Sequence, residues 1–459
     1  MTEQEILTLL TKQQEYYKTG ETLDVSFRIQ SLKKLYNTVK KYETEICTAL
    51  TEDLGKSAFE GFMCEAGLVL SEIGYMINHT RKYAREKTVY TPVAQFPSRS
   101  YKKPSPYGNV LIMSPWNYPF LLTLDPLADA IAAGNTAIVK PSAYSPATSA
   151  IIEKIIKECF DEKYVAVVMG GRAENASLLS QKFDMVFFTG SQAVGKEVLR
   201  KTAENLTPCV LELGGKSPCI IEKSANIPLA AKRVVFGKYL NCGQTCVAPD
   251  YILCDNSIKD RFIEEVKKQI KLQFGENPLE NPTYGKIINE KHFVRIVSLI
   301  NKDKLVSGGT YNKDTLKIAP TVMDNVTFDD AVMQEEIFGP LMPVIGYSDF
   351  SEVEEMISKN PTPLALYIFS SDKNKIKQIT SRVSFGGGCV NDTIIHLATT
   401  EMGFGGVGAS GMGSYHGKIG FDAFSHTKSI VDKKTWLDLP MRYQPYKKLW
   451  GKLLHIVLR

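Results

Sequence analysis

Residues 185–195, MVFFTGSQAVG, join a short apolar run directly to a helical segment. Gly190 permits a tight turn after the run, Ser191 can cap the helix that follows, and Gly195 lets that helix pack closely. Such a helix N-terminus offers backbone N–H groups to a phosphate. The stretch lacks the GxGxxG pattern, however, and a glycine followed by a capping serine also serves ordinary strand-to-helix turns. Taken alone, it leaves a phosphate site and a simple turn equally open.

The alternation of apolar runs and helical segments continues on both sides of this stretch. Between residues 109 and 213, helical segments separate five apolar runs: VLIM, TAIVK, VAVVM, MVFF and CVLEL. This order predicts an α/β fold with a doubly wound parallel sheet, which binds its ligands at the carboxyl ends of the strands. Lys140 ends the second run. It can donate to ribose hydroxyls and tolerate a 2′-phosphate, or lie in solvent as strand-end lysines often do.

Two further regions flank the predicted sheet. Residues 90–108, YTPVAQFPSRSYKKPSPYG, are rich in proline, aromatic and basic residues, and this composition predicts an extended arm of the kind that joins subunits. A second domain begins near Leu211, and the boundary passes through the glycine pair of ELGGKSP. A boundary of this kind suggests a cleft between two domains, where small-molecule sites tend to lie.

The composition predicts two or three domains, because 459 residues with 44% hydrophobic and 23% charged residues can bury more than one core. A soluble, cytoplasmic protein is expected from the N-terminus and the apolar runs described below. The net charge of +5 includes no long basic block in the body of the chain, so nucleic acid is not predicted as a partner. The polar N-terminus is not a secretory signal, and no apolar run approaches the roughly twenty residues of a membrane span. Nine scattered cysteines favour free thiols.

The stretch NCGQTC, residues 241–246, holds two of these cysteines. The spacing of Cys242 and Cys246 fits a metal clamp, a disulfide, a redox pair or a single nucleophile with a bystander. The odd cysteine count weakens the disulfide interpretation. A zinc site needs further thiolate or imidazole ligands, and the local sequence places none at a helpful spacing, so no metal is predicted.

Three more motifs stand after strands or at bends: SPWNYP at 114–119, LELGGKSP at 211–218 and EEIFGP at 335–340. With NCGQTC they supply a thiol, an amide, two carboxylates and an aromatic ring. Each motif has an ordinary structural interpretation, but their joint occurrence in this order is far more specific. Together they resemble the NAD(P)-dependent aldehyde dehydrogenases, most closely the class 3 or fatty-aldehyde branch, and the similarity extends through residues 404–429.

The resemblance implies the aldehyde dehydrogenase fold in three segments. Residues 1–209 would form the NAD(P)-binding domain, with the arm at about 88–107, and residues 210–405 the catalytic domain. Residues 406–459 would return to the nucleotide domain with an oligomerisation strand and an amphipathic tail. The resemblance further implies a homodimer that uses NAD or NADP to oxidise aldehydes to carboxylic acids.

Site residues follow from the same resemblance. Cys246 matches the nucleophile, Glu212 the general base for thioester hydrolysis, and the Asn117 amide an oxyanion donor, while Cys242 is a neighbour. The residues that match the family's cofactor contacts are Trp116, Lys140, Gly190, Ser191, Gly195, Glu336 and Phe338. Where much of the family has a glutamate that repels a 2′-phosphate, this chain has Ala143. Use of both NAD and NADP is therefore expected.

Aromatic residues suggest the class of aldehyde. Tyr118, Phe236, Tyr239 and Tyr415 suggest an apolar or aromatic-lined entrance, which favours medium- or long-chain aliphatic or aromatic aldehydes, although such rings are also ordinary core residues. Two alternative functions remain: a non-catalytic nucleotide- or aldehyde-binding protein on the same fold, and a cysteine esterase that uses the same thiol.

The C-terminal segment YKKLWGKLLHIVLR, residues 446–459, has the pattern of a basic amphipathic helix. One face would gather Tyr446, Leu449, Trp450, Leu453, Leu454 and Val457. The other would gather Lys447, Lys448, Lys452, His455 and Arg459. The segment is too short to span a bilayer, so it either lies peripherally on an anionic membrane or packs on the protein itself or a partner subunit.

Overall fold

Amphipathic helices form the N-terminal part of the chain in the computed structural model, which describes residues 1–457. They bury an apolar stripe that includes Leu32, Leu35, Val39 and Ile46. A π-helical turn, Phe62–Ala66, joins the fourth helix to the fifth. The helices are α1 Glu3–Lys18, α2 Val25–Lys41, α3 Glu43–Leu54, α4 Ala58–Gly61 and α5 Gly67–Tyr83. The predicted arm follows as two antiparallel strands, β1 Lys87–Val89 and β2 Ser98–Pro106.

The five predicted apolar runs form a parallel sheet. Its strands are β3 Asn109–Met113, β4 Thr136–Lys140, β5 Val165–Val167, β6 Met185–Gly190 and β7 Cys209–Leu213, in the spatial order β7-β6-β3-β4-β5. The connecting helices are α6 Leu121–Ala133, α7 Pro146–Cys159, α8 Arg172–Leu179 and α9 Gln192–Glu204. Every residue of β3 and β4 is buried, because helices cover both faces of the sheet. The predicted doubly wound α/β fold is confirmed.

A second sheet of seven strands follows, in the order β10-β13-β14-β9-β8-β15-β16. Its strands are β8 Pro218–Ile221, β9 Tyr251–Asp255, β10 Leu305–Ser307, β13 Thr321–Met323, β14 Leu341–Tyr347, β15 Ala365–Phe369 and β16 Gly387–Val390. Strands β11 Tyr311–Asn312 and β12 Lys317–Ile318 form a separate hairpin. The helices are α10 Ile227–Tyr239, α11 Lys259–Phe274, α12 Glu290–Ser298, α13 Ala331–Gln334, α14 Glu352–Ser358 and α15 Lys373–Arg382.

The C-terminal segment returns to the first half of the molecule. It contains β17 Gly411–Met412, α16 Gly417–Ala423, β18 Ser425–Lys433 and α17 Lys448–Val457. Strand β17 adds to the edge of the first sheet, where Gly411 lies opposite Glu212 of β7. Strand β18 pairs with β2 of the arm along its whole length. Within residues 1–457, no helix has the length and apolar character needed to cross a membrane.

Candidate active site

The backbone of the turn that leads to Cys246 is strained, and contacts with other segments of the chain hold it in place. Asn241 and Cys242 adopt left-handed φ values of 51° and 53°, which L-residues rarely adopt without compensating contacts. The carboxylate of Glu60 accepts the Asn241 N–H at 2.9 Å. The Asn241 side chain donates to the carbonyl oxygens of Asn117 at 2.7 Å and Gln244 at 3.1 Å. These contacts fix the turn against the loop that contains Asn117.

Cys246 lies where two cavities meet. A large cleft of about 920 Å³ opens on one side, and a narrow apolar channel of about 200 Å³ on the other. Leu122, Cys246 and Phe404 line both. The structure brings eight of the predicted site residues into the wall of the cleft: Trp116, Asn117, Gly190, Ser191, Glu212, Cys246, Glu336 and Phe338. A molecule in the channel can therefore reach the same thiol as a molecule in the cleft.

Asn117 is held so that it retains hydrogen-bonding capacity. Its side-chain nitrogen donates to the carbonyl oxygen of Gln244 at 3.0 Å. A primary amide carries two N–H groups, so one of them anchors the side chain, and the second has no acceptor among residues 1–457 in the cleft that Cys246 also lines. This arrangement suits a fixed donor for an oxyanion formed on a carbonyl that the thiol attacks.

Glu212 is a buried carboxylate with unused hydrogen-bonding capacity. Neither of its oxygens has a hydrogen-bond partner among residues 1–457, and its residue is 2% exposed. Burial raises the pKa of this carboxyl well above its usual value. A carboxylate in this state has a high affinity for a proton, as a general base requires.

The Cys246 thiol is poorly ionised in this environment. Burial raises its pKa, and the nearby carboxylates of Glu336 and Glu212 raise it further. The nucleophilic form is the thiolate, so attack on a carbonyl requires that a base remove this proton. Glu336 and Glu212 both line the cleft together with Cys246.

Glu336 and Phe338 lie on a loop that follows α13. The Glu336 carboxylate rests against Gly214, where an added Cβ would lie 2.2 Å from Oε2, so a larger residue would displace this carboxylate. Burial, followed by the charge of Asp250, raises the pKa of Glu336 to about 8. Phe338 packs edge-on against Trp116, with 5.3 Å between ring centroids. The SPWNYP motif, through Trp116, and the EEIFGP motif, through Glu336 and Phe338, thus form one wall of the cleft.

A buried ion pair that the sequence interpretation missed anchors this loop. The Lys216 ammonium lies 2.5 Å from the Asp250 carboxylate and donates to the carbonyl oxygens of Val332 and Glu335. Asp250 also accepts the Ile337 N–H at 3.0 Å. Lys216 lies in the LELGGKSP motif, so the motif could have marked it as a residue of the site. Nothing in the sequence indicates that it pairs with Asp250.

The turn between β6 and α9 has the capped form that the sequence predicts. Ser191 precedes α9 with an extended backbone, and its hydroxyl accepts the Val194 N–H at 3.5 Å. At Gly195 an added Cβ would lie 2.7 Å from the Leu213 side chain, so α9 packs on β7 as closely as the sequence predicts. Gly190 and Ser191 both line the cleft. Gln192 and Ala193, in the first turn of α9, also line the cleft.

Lys140 is turned toward backbone carbonyls. Its ammonium donates to the oxygens of Pro141 at 2.8 Å and Gly170 at 2.7 Å, and burial lowers its pKa to about 8. The Glu174 carboxylate lies close enough to favour the charged form, and it accepts the Gly171 N–H at 2.7 Å. Glu174 was not predicted, because the residue before α8 is a glycine, which lacks the side-chain oxygen of a serine or threonine capping box.

The apolar channel contains three of the four predicted aromatic residues, Tyr118, Phe236 and Tyr415. The prediction of Tyr239 as a fourth lining residue is wrong. Tyr239 ends α10 with its ring fully buried against Phe274 of α11, and its hydroxyl donates to the Thr321 carbonyl at 3.1 Å. Its neighbours are therefore core groups. Aliphatic residues that were not predicted complete the channel, among them Leu121, Leu240, Val247, Ile394 and Leu397.

Cys242 lies in a different environment from Cys246. It packs in the core of the second sheet, where a Cβ built on Gly285 would lie 3.4 Å from its sulfur. Cys246 instead packs against the core that includes the first sheet. Within residues 1–457, no three His, Cys, Asp or Glu side chains form a group that could hold a metal ion.

Comparison with known proteins agrees with this geometry. Residues 1–430 match the model of the aldehyde dehydrogenase family. The chain is 47% identical over 443 residues to 4,4'-diaponeurosporen-aldehyde dehydrogenase of Staphylococcus aureus, covering 96% of each chain. It is 41% identical to the dimeric, NADP-preferring aldehyde dehydrogenase of Canis lupus familiaris, over 94% of this chain and 95% of the relative. The solved, substrate-bound AldH of Staphylococcus aureus superposes with a TM-score of 0.97 at 45% identity, covering 99% of each chain.

Proposed function

Because this chain belongs to the aldehyde dehydrogenase family, we propose that it oxidises medium- or long-chain aliphatic or aromatic aldehydes to carboxylic acids through a covalent intermediate on Cys246. The protein is an enzyme that oxidises aldehydes with NAD or NADP. The position of Cys246 between the cleft and the apolar channel carries the finer proposal. The channel holds the aldehyde chain, and the cleft holds the cofactor.

The first step is addition of the Cys246 thiolate to the aldehyde carbon. The carbonyl oxygen becomes an oxyanion, which the side-chain N–H of Asn117 and the backbone N–H of Cys246 stabilise. A bound nicotinamide ring supplies the acceptor for the hydride that leaves the tetrahedral carbon. The carbon then remains attached to Cys246 as a thioester.

Release of the acid requires a water molecule and a base. Glu212 removes a proton from the water, which attacks the thioester carbon, and the carbon–sulfur bond breaks to free the thiolate. The oxyanion formed in this step uses the same two donors. Such a site also cleaves activated esters, which makes esterase activity a secondary reaction of the same thiol.

The residues of the cleft fit a dinucleotide. The N–H groups at the start of α9, with Gly190, Ser191 and Trp116, would contact the pyrophosphate. The Glu336 carboxylate would accept hydrogen bonds from the nicotinamide ribose, with Phe338 near the ring. Lys140 would donate to the adenosine ribose after its ammonium turns from the Pro141 and Gly170 carbonyls toward the cleft. Residues 1–209 would act as the nucleotide domain together with the rest of β7, which belongs to the same sheet and ends at Leu213, and the residues from there to 405 would act as the catalytic domain.

A series of straight-chain aldehydes tests the substrate class. We expect kcat/KM to rise about two- to fourfold per methylene until the channel is filled, since each buried methylene contributes about 0.8 kcal/mol. The measurement is the formation of reduced cofactor at 340 nm. Phe236→Ala, which widens the channel wall, should flatten this dependence while a two-carbon aldehyde reacts at its former rate. A constant kcat/KM along the series would contradict the proposed substrate class.

The choice of cofactor depends on Ala143. This residue is exposed and lacks a carboxylate, so we expect the enzyme to use both NAD and NADP. Ala143→Glu should weaken use of NADP by about three- to thirtyfold and leave NAD nearly unchanged, because like charges repel and solvent screens part of the effect. Dissociation constants for both cofactors, measured by fluorescence, provide a readout independent of turnover. An equal loss with both would show that position 143 does not face the 2′ group.

A homodimer accounts for the exposed edges of two sheets. Strand β18 lies at the edge of the arm sheet, and β16 at the edge of the seven-stranded sheet. Each exposes a large apolar side chain, Val431 and Val390. Unpaired strand edges favour association with another chain. We propose that the arm and these edges join two copies, in agreement with the dimeric relative.

The tail is proposed to bind an anionic membrane surface peripherally. Helix α17 exposes Leu449 and Leu454, and Tyr446 before it is 70% exposed, so the body of the protein does not cover these apolar groups. Lys447, Lys448 and Lys452 supply positive charge for anionic headgroups. Of the predicted tail residues, Arg459 and the side chains of Leu453 and Val457 lie outside the part of the chain that the structure describes.

Deletion of residues 447–459 tests this assignment. We expect the full-length protein to co-sediment with anionic vesicles at low salt and the truncated protein to stay in solution, with turnover of a short aldehyde retained. Light scattering of both proteins gives the oligomeric state. No sedimentation of the full-length protein, together with a change of oligomeric state on truncation, would assign the tail to a subunit contact instead.

A further inference from the structure

A fully buried ion pair lies beneath the loop that carries Asn117. The Lys56 ammonium is 2.5 Å from the Glu65 carboxylate, and both side chains are 0% exposed. Glu65 belongs to the π-helical turn between α4 and α5. Removing two charges from water is costly, and a buried pair seldom adds much stability over apolar residues of the same size. The pair therefore calls for an explanation other than stability.

Both members of the pair hold the backbone around Asn117. Lys56 donates to the Asn117 carbonyl oxygen at 3.0 Å. Glu65 accepts the N–H groups of Phe120 at 2.8 Å and Leu121 at 3.2 Å, at the start of α6. The pair thus fixes the peptide of the proposed oxyanion donor on one side and the helix that follows it on the other.

The same contacts extend to the turn of the nucleophile. The Asn117 carbonyl oxygen that accepts from Lys56 also accepts from the Asn241 side chain, and the Asn117 amide donates to Gln244. The Lys56 ammonium lies 4.0 Å from the centre of the Tyr118 ring, whose hydroxyl is 2.7 Å from that of Thr245. Lys56 is therefore linked to Asn117 directly and, through Tyr118, to Thr245, the residue next to Cys246.

We propose that Lys56 and Glu65 are positioning residues of the oxyanion hole, which set the Asn117 N–H relative to Cys246. The inference rests on the proposed function, in which Asn117 stabilises the oxyanion. Oxyanion donors act only when they are held at hydrogen-bond distance from the place where charge develops, and small displacements lower the rate. The π-helical turn places Glu65 where it can accept from both N–H groups of α6 while it binds Lys56.

A double-mutant cycle separates positioning from general stability. The variant Lys56→Met/Glu65→Gln removes both charges and the donor to Asn117, while the Gln oxygen can still accept from α6. We expect it to lower kcat/KM for the aldehyde about ten- to a hundredfold in the otherwise unchanged enzyme. On an Asn117→Ala background the same change should cost less than about twofold, since the donor that it positions is already absent.

Two further readouts keep the test specific. Hydrolysis of p-nitrophenyl acetate also forms an oxyanion and should fall in parallel with aldehyde oxidation. Alkylation of Cys246 by iodoacetamide forms none and should keep its rate. Lys259→Met provides a matched control, because it breaks a partly buried pair with Asp324 at 2.8 Å in the second domain. It should lower the melting temperature without changing kcat/KM.

Equal losses on the two backgrounds, or a parallel loss of the alkylation rate, would overturn the positioning role. If the double replacement does not fold, Glu65→Gln alone is tested on the same two backgrounds. Equal losses of kcat/KM on both would again overturn the positioning role. An active Cys246→Ala enzyme would instead refute the proposed function, so the two failures are distinguishable.

Discussion

Replacing Cys246 with alanine is expected to abolish aldehyde oxidation, with a loss of roughly 10⁴-fold or more in kcat, as seen when enzymes lose a covalent nucleophile. Among residues 1–457, Cys246 is the cysteine that lines both the cleft and the apolar channel, whereas Cys64 lines the channel alone. Without the thiol no tetrahedral adduct forms, and the hydride remains on a planar aldehyde carbon. Steady-state formation of reduced cofactor measures the loss.

Cys242→Ala serves as the matched control for this experiment. Cys242 lies in the core beside Gly285 and does not line either cavity, so we expect kcat/KM within about threefold of the unchanged enzyme. Both variants should bind cofactor normally, which fluorescence titration checks. If the Cys242 variant were inactive and the Cys246 variant active, the roles assigned to the two thiols would be wrong.

The first sheet could be predicted from the sequence because its signals are local. Each of its five strands contains a continuous apolar run, since helices cover both faces, and a helix follows each of the first four. Strand β17 could not be predicted in this way. It consists of Gly411 and Met412, carries no apolar run, and pairs with a strand some two hundred residues earlier in the chain.

The site was predictable to the extent that its residues stand in recognisable motifs. Trp116, Asn117 and Glu336 come together in the cleft as the motifs suggested. Tyr239 shows the limit, because an aromatic residue near the end of a helix has no sequence signal that separates a channel wall from a core. Contacts such as Lys56 with Asn117 depend on how distant segments pack, which the residue order alone does not reveal.

The role of Glu212 gives the second large effect. Replacing it with glutamine should leave thiol addition and hydride transfer possible while it removes the base that activates water. We expect a burst of about one reduced cofactor per active site, followed by a steady rate reduced about a hundredfold or more. Stopped-flow absorbance at 340 nm resolves the two phases. Glu222→Gln, a buried carboxylate paired with Lys375 outside both cavities, should show no such burst.

The pH dependence sharpens this test. Glu212 acts as a base only when deprotonated, and burial raises its pKa, so the wild-type hydrolysis rate should rise with pH above the range where ordinary carboxyls titrate. The glutamine variant should lose this dependence in its slow phase, because glutamine does not titrate. The Cys246 thiol also needs a base, and Glu212 is close enough to raise its pKa. A variant with neither burst nor turnover would therefore show that Glu212 acts first on the thiol, before any hydride leaves.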